Sequence, residues 1–266
     1  MVLLVNQFII VKITLLMDKH LWNELASDYA KSVEDNDNQT IKNYLKKEIK
    51  IISNLCNKKI HDKKDFYIID MGSGTGRVLF ELDTLLKNNE ISYLGIELSE
   101  PMIILSEKKK LKSHPESKIH FLKMDLMELD SKLFEKYSPG SVVMCLYNTI
   151  GVLSDSKRQY FVDQMKKIAG PEGLVIISTF NGDDFKNIAP IMYDAMLPMI
   201  KKINSDSFDE KNRVFKNENG FRSQWFLKKQ IMELLKTKFQ PIPIEINHDG
   251  KMKIFGYVFT DKKIIF

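Results

Sequence analysis

Phe66-Tyr67-Ile68-Ile69-Asp70-Met71-Gly72-Ser73-Gly74-Thr75-Gly76 runs a short apolar strand straight into a glycine-rich turn. Glycines at alternate positions remove the side chains that would hold a ligand off the backbone, and they permit the positive φ values of a tight strand-to-helix turn. Arg77-Val78-Leu79-Phe80-Glu81-Leu82 follows with apolar residues at helical intervals, so the amide donors of a helix start face whatever the turn holds. The pattern predicts a nucleoside-like ligand, and its spacing separates two kinds of site. A dinucleotide fold has G-x-G-x-x-G, whose third glycine admits a pyrophosphate. Here Arg77 stands at that place and the third glycine falls one residue earlier.

About 20 residues further on, the strand Tyr93-Leu94-Gly95-Ile96 closes at Glu97, where a carboxylate can accept hydrogen bonds from both hydroxyls of a ribose. D-x-G-x-G-x-G followed by this acidic strand end resembles the class I S-adenosylmethionine-dependent methyltransferases. The resemblance implies S-adenosyl-L-methionine as cofactor. It places Asp70, Gly72, Ser73, Gly74, Thr75 and Gly76 around the methionine part, with Asp70 holding the loop or the amino group. Glu97 would take the ribose, with Leu98 and Met102 against adenine, although core packing explains Met102 equally well. The third strand ends Phe121-Leu122-Lys123-Met124-Asp125-Leu126, and the resemblance gives Asp125 the exocyclic amine of adenine with Leu126 beside it. A helix cap is the competing role for Asp125. Tyr29, in Trp22-x-x-x-Ala26-x-x-Tyr29, matches a position from which relatives close over the cofactor, and helix packing is its alternative.

Outward from the turn, the chain alternates helices and strands. Helices are expected at 18–30, 39–57, 76–87, 100–112 and 155–169, and strands at 66–70, 92–96, 118–123, 141–147 and 173–180. Such alternation implies parallel strands with right-handed crossovers and helices on both faces. After the fifth strand, residues 181–224 form a long connection with an amphipathic-looking run from Ile188 to Ile203 and a polar stretch from Asn204 to Asn219. Two closing strands at 241–247 and 252–260 flank Asp249-Gly250, a hairpin signal. The fold expected is therefore α/β: a Rossmann-like seven-stranded, mostly parallel sheet with a C-terminal antiparallel hairpin and a lid insertion after the fifth strand. Residues 17–60 read as an N-terminal helical cap and 61–266 as the methyltransferase core carrying the 181–224 lid.

The fourth strand, Ser141-Val-Val-Met-Cys145-Leu-Tyr147-Asn148-Thr-Ile-Gly151, should end nearest the transferring methyl group. It lacks the [DN]-P-P-[FY] signature of base-amine methyltransferases, the Pro-Cys pair of cytosine-carbon enzymes, and the acidic metal ligand of catechol-type enzymes. These absences favour metal-free transfer to a small-molecule nucleophile, and Tyr147-Asn148-Thr149-Ile150-Gly151 loosely resembles the loop of small-molecule N-methyltransferases, which implies nitrogen before oxygen. Tyr147 and Asn148 are the candidate catalytic residues: Asn148 to orient cofactor or acceptor, Tyr147 to wall the pocket. Both also suit a turn with Asn at positive φ. Family analogy puts acceptor choice in the lid, through Phe180, Asn181, Tyr193, Arg222 and Trp225, and Asp183 and Asp184 could favour a cationic amine or start a helix. His20 and His248 are read as solvent-exposed, and neither is a candidate base.

Composition bounds the rest. The chain has 266 residues, 44% of them apolar, enough for one core with a lid. A net charge of +5 leaves a nucleic-acid partner open without favouring it, because the lysines are dispersed and Lys108-Lys109-Lys110 reads as a solvated helix face. Cys56 and Cys145 make no CxxC, so no metal site is expected, and a reducing cytoplasm is the expected location. Met1 to Leu16 is mostly apolar, yet as a helix it would span only about 24 Å against a hydrocarbon core of about 30 Å. No transmembrane segment is expected there. Translation from Met17 and a weak peripheral anchor are the two readings of this stretch.

Overall fold

The computed structural model describes residues 20–60, 66–88, 90–137 and 140–264; the 1–16 stretch lies outside them. Helix α1 (20–33) precedes α2 (Gln39–Ile60), then β1 (Phe66–Met71), α3 (Arg77–Leu86), β2 (Ile91–Glu97), α4 (Glu100–Ser113), β3 (Ile119–Lys123), β4 (Val142–Cys145), α5 (Arg158–Ala169) and β5 (Leu174–Phe180). The lid holds α6 (Phe185–Asp194), α7 (Leu197–Ile200), β6 (Phe208–Asp209), β7 (Val214–Lys216) and β8 (Arg222–Gln224). The chain closes with α8 (Lys228–Leu234), β9 (Ile242–His248) and β10 (Lys251–Thr260).

The main sheet has the order β3-β2-β1-β4-β5-β10-β9. β1 pairs in parallel with β2 and β4, β2 with β3, and β4 with β5, while β10 runs antiparallel between β5 and β9. The Asp249-Gly250 turn has φ values of 52° and 74°, both positive, as a two-residue hairpin that matches strand twist requires. Because strand side chains alternate between faces, Ile68, Val142 and Ile176 join one core with α2 and α3, and Ile69, Val143 and Ile177 join the other with α5 and α8. The strands buried on both faces read as continuous apolar runs for that reason.

Two sequence expectations change. The fourth strand stops at Cys145 instead of reaching residue 147, because Tyr147 and Asn148 turn the chain at φ 51° and 61°. The polar stretch from Asn204 to Asn219, expected as part of one long connection, supplies β6 and β7 of a separate three-stranded antiparallel sheet completed by β8. That sheet is pinned by aromatic packing, with the Phe215 ring stacked on Tyr193 at 3.7 Å between centroids.

Candidate active site

The carboxyl ends of β1 and β4 flank the point where the strand order reverses, and a cleft opens there, with about 860 Å³ of empty space counting its solvent-open mouth. The glycine turn forms its floor. Gly72 and Gly74 sit at φ 82° and 55°, and a methyl group on Gly72 would come within 2.6 Å of Thr149 Cγ2. Gly76, at φ 76°, caps α3 and lies outside the cleft lining. The Gly74 N–H donates to Glu97 Oε2 at 2.9 Å, and the Ser99 N–H donates to Oε1 at 2.8 Å. The end of β2 is thereby tied to the end of β1. Burial pushes the Glu97 carboxyl up, and the amides of Ser99, Gly74 and Leu98 pull it back toward the ionised form. Each carboxylate oxygen keeps capacity for a further bond.

Leu98, Met102, Asp125 and Leu126 line the same cleft beside Glu97. Asp125 also caps a 3-10 turn, accepting from the Met127 N–H at 2.8 Å through Oδ1, so its capping geometry and its place in the cleft coexist. Asp70, Ser73 and Thr75 line an adjoining recess with Arg77. Ser73 Oγ is buried there without a hydrogen-bond partner, an orphaned polar atom at the edge of a glycine cradle. These features fit a nucleoside-bearing cofactor with a polar tail.

Asp70 is buried, and burial pushes its carboxyl up to about 7, with Arg77 opposing the shift and Glu48 and Glu97 adding to it. The folded chain then holds this proton from the ordinary carboxylate range up to about pH 7, where the unfolded chain has released it. The stability contributed is full at low pH and drains as the pH rises through that window. Urea titration of the cofactor-free protein at pH 5 and pH 8 should find Asp70→Asn gaining on the natural chain by a few kcal/mol at the higher pH. An equal difference at both pH values would contradict this.

Helix α1 covers the turn. The Tyr29 ring lies 3.3 Å from where a Cβ on Gly74 would sit. Glu34, following α1, accepts from Thr75 Oγ1 and from Lys109 Nζ, the latter at 2.6 Å. On its other side α1 grips the lid: the Met199 N–H donates to Ser32 Oγ at 2.8 Å, and Asn36 Nδ2 donates to the Ala195 carbonyl at 2.6 Å. At Gly74, alanine at φ +55° should cost little stability, about 1 kcal/mol, yet its methyl group would enter the cradle. Gly74→Ala is therefore expected to bind S-adenosylhomocysteine at least tenfold more weakly by calorimetry while its Tm falls by only a few degrees.

Beyond the turn the cleft becomes aromatic and thioether-rich, walled by Trp22, Tyr147, Phe180, Tyr193, Phe221 and lid methionines. Tyr147 packs edge-on to Tyr44 and Phe180, at 5.5 and 5.2 Å between ring centroids. Asn148 lines the cleft, but its amide is engaged: Nδ2 donates to Ser223 Oγ at 2.9 Å and to the Gln224 carbonyl at 3.1 Å. Of the lid residues expected from sequence, Phe180 and Tyr193 line the cleft and three do not. Asn181 is spent capping a turn and donating to the Ile254 carbonyl. Arg222 is half-exposed, 3.7 Å from Asp155, and Trp225 is buried behind Tyr193, to which its indole N–H donates at 2.8 Å. Asp183 and Asp184 also lie outside the lining; Asp183 Oδ2 accepts from the Lys228 N–H. His20 pairs with Glu24 and His248 with Asp249, and neither reaches the cleft.

Sequence reading passed over several contributors. Trp22 was visible only as a motif member, and Thr149 continues the Tyr147-Asn148 turn, but Met196, Met199, Phe221 and Ser223 come from lid positions with no local signal. Glu48 was missed as well. Fully buried on α2, it faces Arg77 Nη2 at 3.3 Å, accepts from Ser178 Oγ at 2.6 Å and from the Tyr147 N–H at 3.2 Å.

A sheet of this order, with a glycine turn at β1 and a carboxylate at the end of β2, defines a class I S-adenosylmethionine-dependent methyltransferase. A family model described as a methyltransferase domain matches residues 62–239, and the chain belongs to that family. It is 31% identical over 118 residues to a carboxy-S-adenosyl-L-methionine synthase of Desulfotalea psychrophila, a match covering 44% of this chain and 45% of that protein. The chain thus matches less than half the length of this curated relative. Among solved structures it is similar to the PH0226 protein of Pyrococcus horikoshii, with a TM-score of 0.59, 17% identity and coverage of 89% and 97% of the two chains. It is also similar to the 1,6-didemethyltoxoflavin-N1-methyltransferase of Burkholderia thailandensis, solved with 1,6-didemethyltoxoflavin and S-adenosylhomocysteine, with a TM-score of 0.54, 18% identity and coverage of 89% and 85%. Among the described residues, no helix is long and apolar enough to cross a membrane.

Proposed function

We propose that the protein is an S-adenosylmethionine-dependent methyltransferase acting on a small-molecule nucleophile, at nitrogen. When bound, the cofactor supplies an electrophilic methyl group for direct in-line displacement. Asp70 and the Ser73 hydroxyl hold its amino-acid end, the Gly72–Thr75 backbone lies along its length, Glu97 takes the ribose, and Asp125 with Leu98, Met102 and Leu126 takes the adenine. Tyr29 and Trp22 close over it from α1, and Tyr147 with Phe180 walls the acceptor side. Asn148 holds the β4 turn to the lid. Aligning an acceptor there and excluding water are the chain's main contributions to rate.

The observation that carries the reading is one cleft with two unlike halves: a carboxylate-bearing half at the glycine turn, and an aromatic half continuous with it. Among the described residues, no lysine, arginine or histidine lines this cleft. A polyanionic acceptor such as RNA finds no counter-charge in it. Nitrogen is favoured over oxygen because the acceptor half offers no base: no imidazole is present, and burial pushes the Tyr29, Tyr147 and Tyr193 hydroxyls above the ordinary phenol range. An amine that is neutral in the site needs none. The test is incubation with methyl-labelled cofactor and separate metabolite, RNA and protein fractions. Label in the metabolite fraction is expected. Label in RNA or protein alone would redirect the assignment, and tight cofactor binding with no label in any fraction would indicate a non-catalytic subunit.

A further inference from the structure

We propose that the acceptor is an uncharged, flat, ring-bearing molecule that presents a hydrogen-bond acceptor, a carbonyl oxygen or a pyridine-type nitrogen, to a hydroxyl proton of the Tyr193–Ser223 pair. This rests on the methyltransferase reading of the cleft and specifies its substrate. The walls select shape. Trp22 stands edge-on to Phe221 at 6.0 Å, and Phe180 is backed by Trp225 at 4.9 Å, so the aromatic faces are fixed by neighbours before any ligand arrives. Among the described residues, Glu97 and Asp125 are the only charged side chains in the lining, and they belong to the other half of the cleft. An anion here would meet no cation, and a cationic acceptor nitrogen has no lone pair to give.

The polar selection follows from counting protons. Tyr193 and Ser223 both line the cleft and both are buried. Trp225 Nε1 can only donate, and it donates to Tyr193 Oη at 2.8 Å. Asn148 Nδ2 donates to Ser223 Oγ, and the amide cannot be flipped, because Nδ2 also faces the Gln224 carbonyl while Oδ1 faces the Phe180 N–H at 3.4 Å. Each hydroxyl thus accepts from a group that cannot reverse its role. Ser223 is a side-chain hydrogen-bond partner of the Tyr193 hydroxyl; whichever of the two donates to the other, one O–H proton is left over, and both residues line the cleft. The Tyr147 hydroxyl is engaged elsewhere, donating to Met196 Sδ at 3.8 Å, and the Tyr29 and Thr149 side chains lie at the glycine turn, against Gly74 and Gly72. The acceptor half therefore presents a buried directional donor between flat apolar walls, in the same lining as the Trp22 indole.

Isosteric probes test this on the full chain loaded with S-adenosylhomocysteine. Quinoline and naphthalene have the same outline, and only quinoline carries a ring nitrogen acceptor; 2-naphthoate adds a negative charge. Calorimetry at pH 8, where quinoline is neutral, should show quinoline binding about fivefold to tenfold more tightly than naphthalene, and 2-naphthoate more weakly than both. The double variant Tyr193→Phe with Ser223→Ala should bring the quinoline-to-naphthalene ratio to about one while S-adenosylhomocysteine still binds, which also certifies its fold. Equal affinities in the natural chain, preference for 2-naphthoate, no quinoline binding at millimolar concentration, or a ratio unchanged in the folded double variant would each overturn the proposal. Failure of S-adenosylhomocysteine to bind the natural chain would instead remove the methyltransferase reading beneath it.

Discussion

Glu97→Ala should raise the dissociation constant for S-adenosylhomocysteine by about two orders of magnitude, the loss expected when two hydrogen bonds from ribose hydroxyls to a buried carboxylate disappear. The same change removes the acceptor for the Gly74 and Ser99 amides, at 2.9 and 2.8 Å. Those donors are then left beside the empty space of a deleted side chain, and the glycine turn loses its tie to β2. Glu97→Gln is the more telling variant. Its amide keeps the shape but must aim NH₂ at one of the two N–H donors, so it should also bind weakly, with a smaller fall in Tm than alanine gives. Calorimetry paired with thermal melts distinguishes the outcomes. Undiminished affinity in both variants would mean that this carboxylate serves only to fasten the turn, and the ribose contact would have to be abandoned.

How far the site could be read beforehand depends on how local each feature is. The glycine turn, Glu97 and Asp125 are legible because each is a residue type at a strand end, and the parallel order brings strand ends together without further information. The hairpin was announced by Asp249-Gly250 for the same reason. The lid is different. β6, β7 and β8 are two or three residues long, too short for alternation to register, and what holds them is the stack of Tyr193 on Phe215, residues far apart in sequence. Trp225 and Arg222 are pocket candidates by family analogy alone. Burial against Tyr193 and an outward ion pair with Asp155 account for them instead. The end of β4 was overextended because Leu146 and Tyr147 continue an apolar run, while the backbone turn depends on contacts from β5 and α2 that no local pattern encodes.

Those contacts make Glu48 the position with the largest expected effect on stability. Its carboxylate is 1% exposed and lies 3.3 Å from Arg77 Nη2, so burial pushes it up while Arg77, Ser178 Oγ and the Tyr147 N–H hold it toward the ionised form. Glu48→Ala leaves the buried Arg77 guanidinium with only the half-exposed Glu81 carboxylate, 3.1 Å from Nη1, and should cost about 3 kcal/mol, a fall in Tm of about 10 °C. Replacing both charges, Glu48→Leu with Arg77→Met, should recover more than half of that loss, because the penalty comes from a buried charge that has lost its buried partner more than from the missing attraction. Function should not recover with it. Tyr147 and Asn148 are held at φ 51° and 61°, a conformation that non-glycine residues keep only when their surroundings impose it. Glu48 is one of those surroundings, through the Tyr147 N–H. The double variant should therefore melt near the natural temperature yet turn over more slowly at saturating cofactor, with an elevated KM for the acceptor. If Glu48→Ala melts with the natural chain, the buried pair is not the joint between α2, the glycine turn and β4. Full turnover in the stable double variant would show that the β4 turn keeps its shape without the carboxylate.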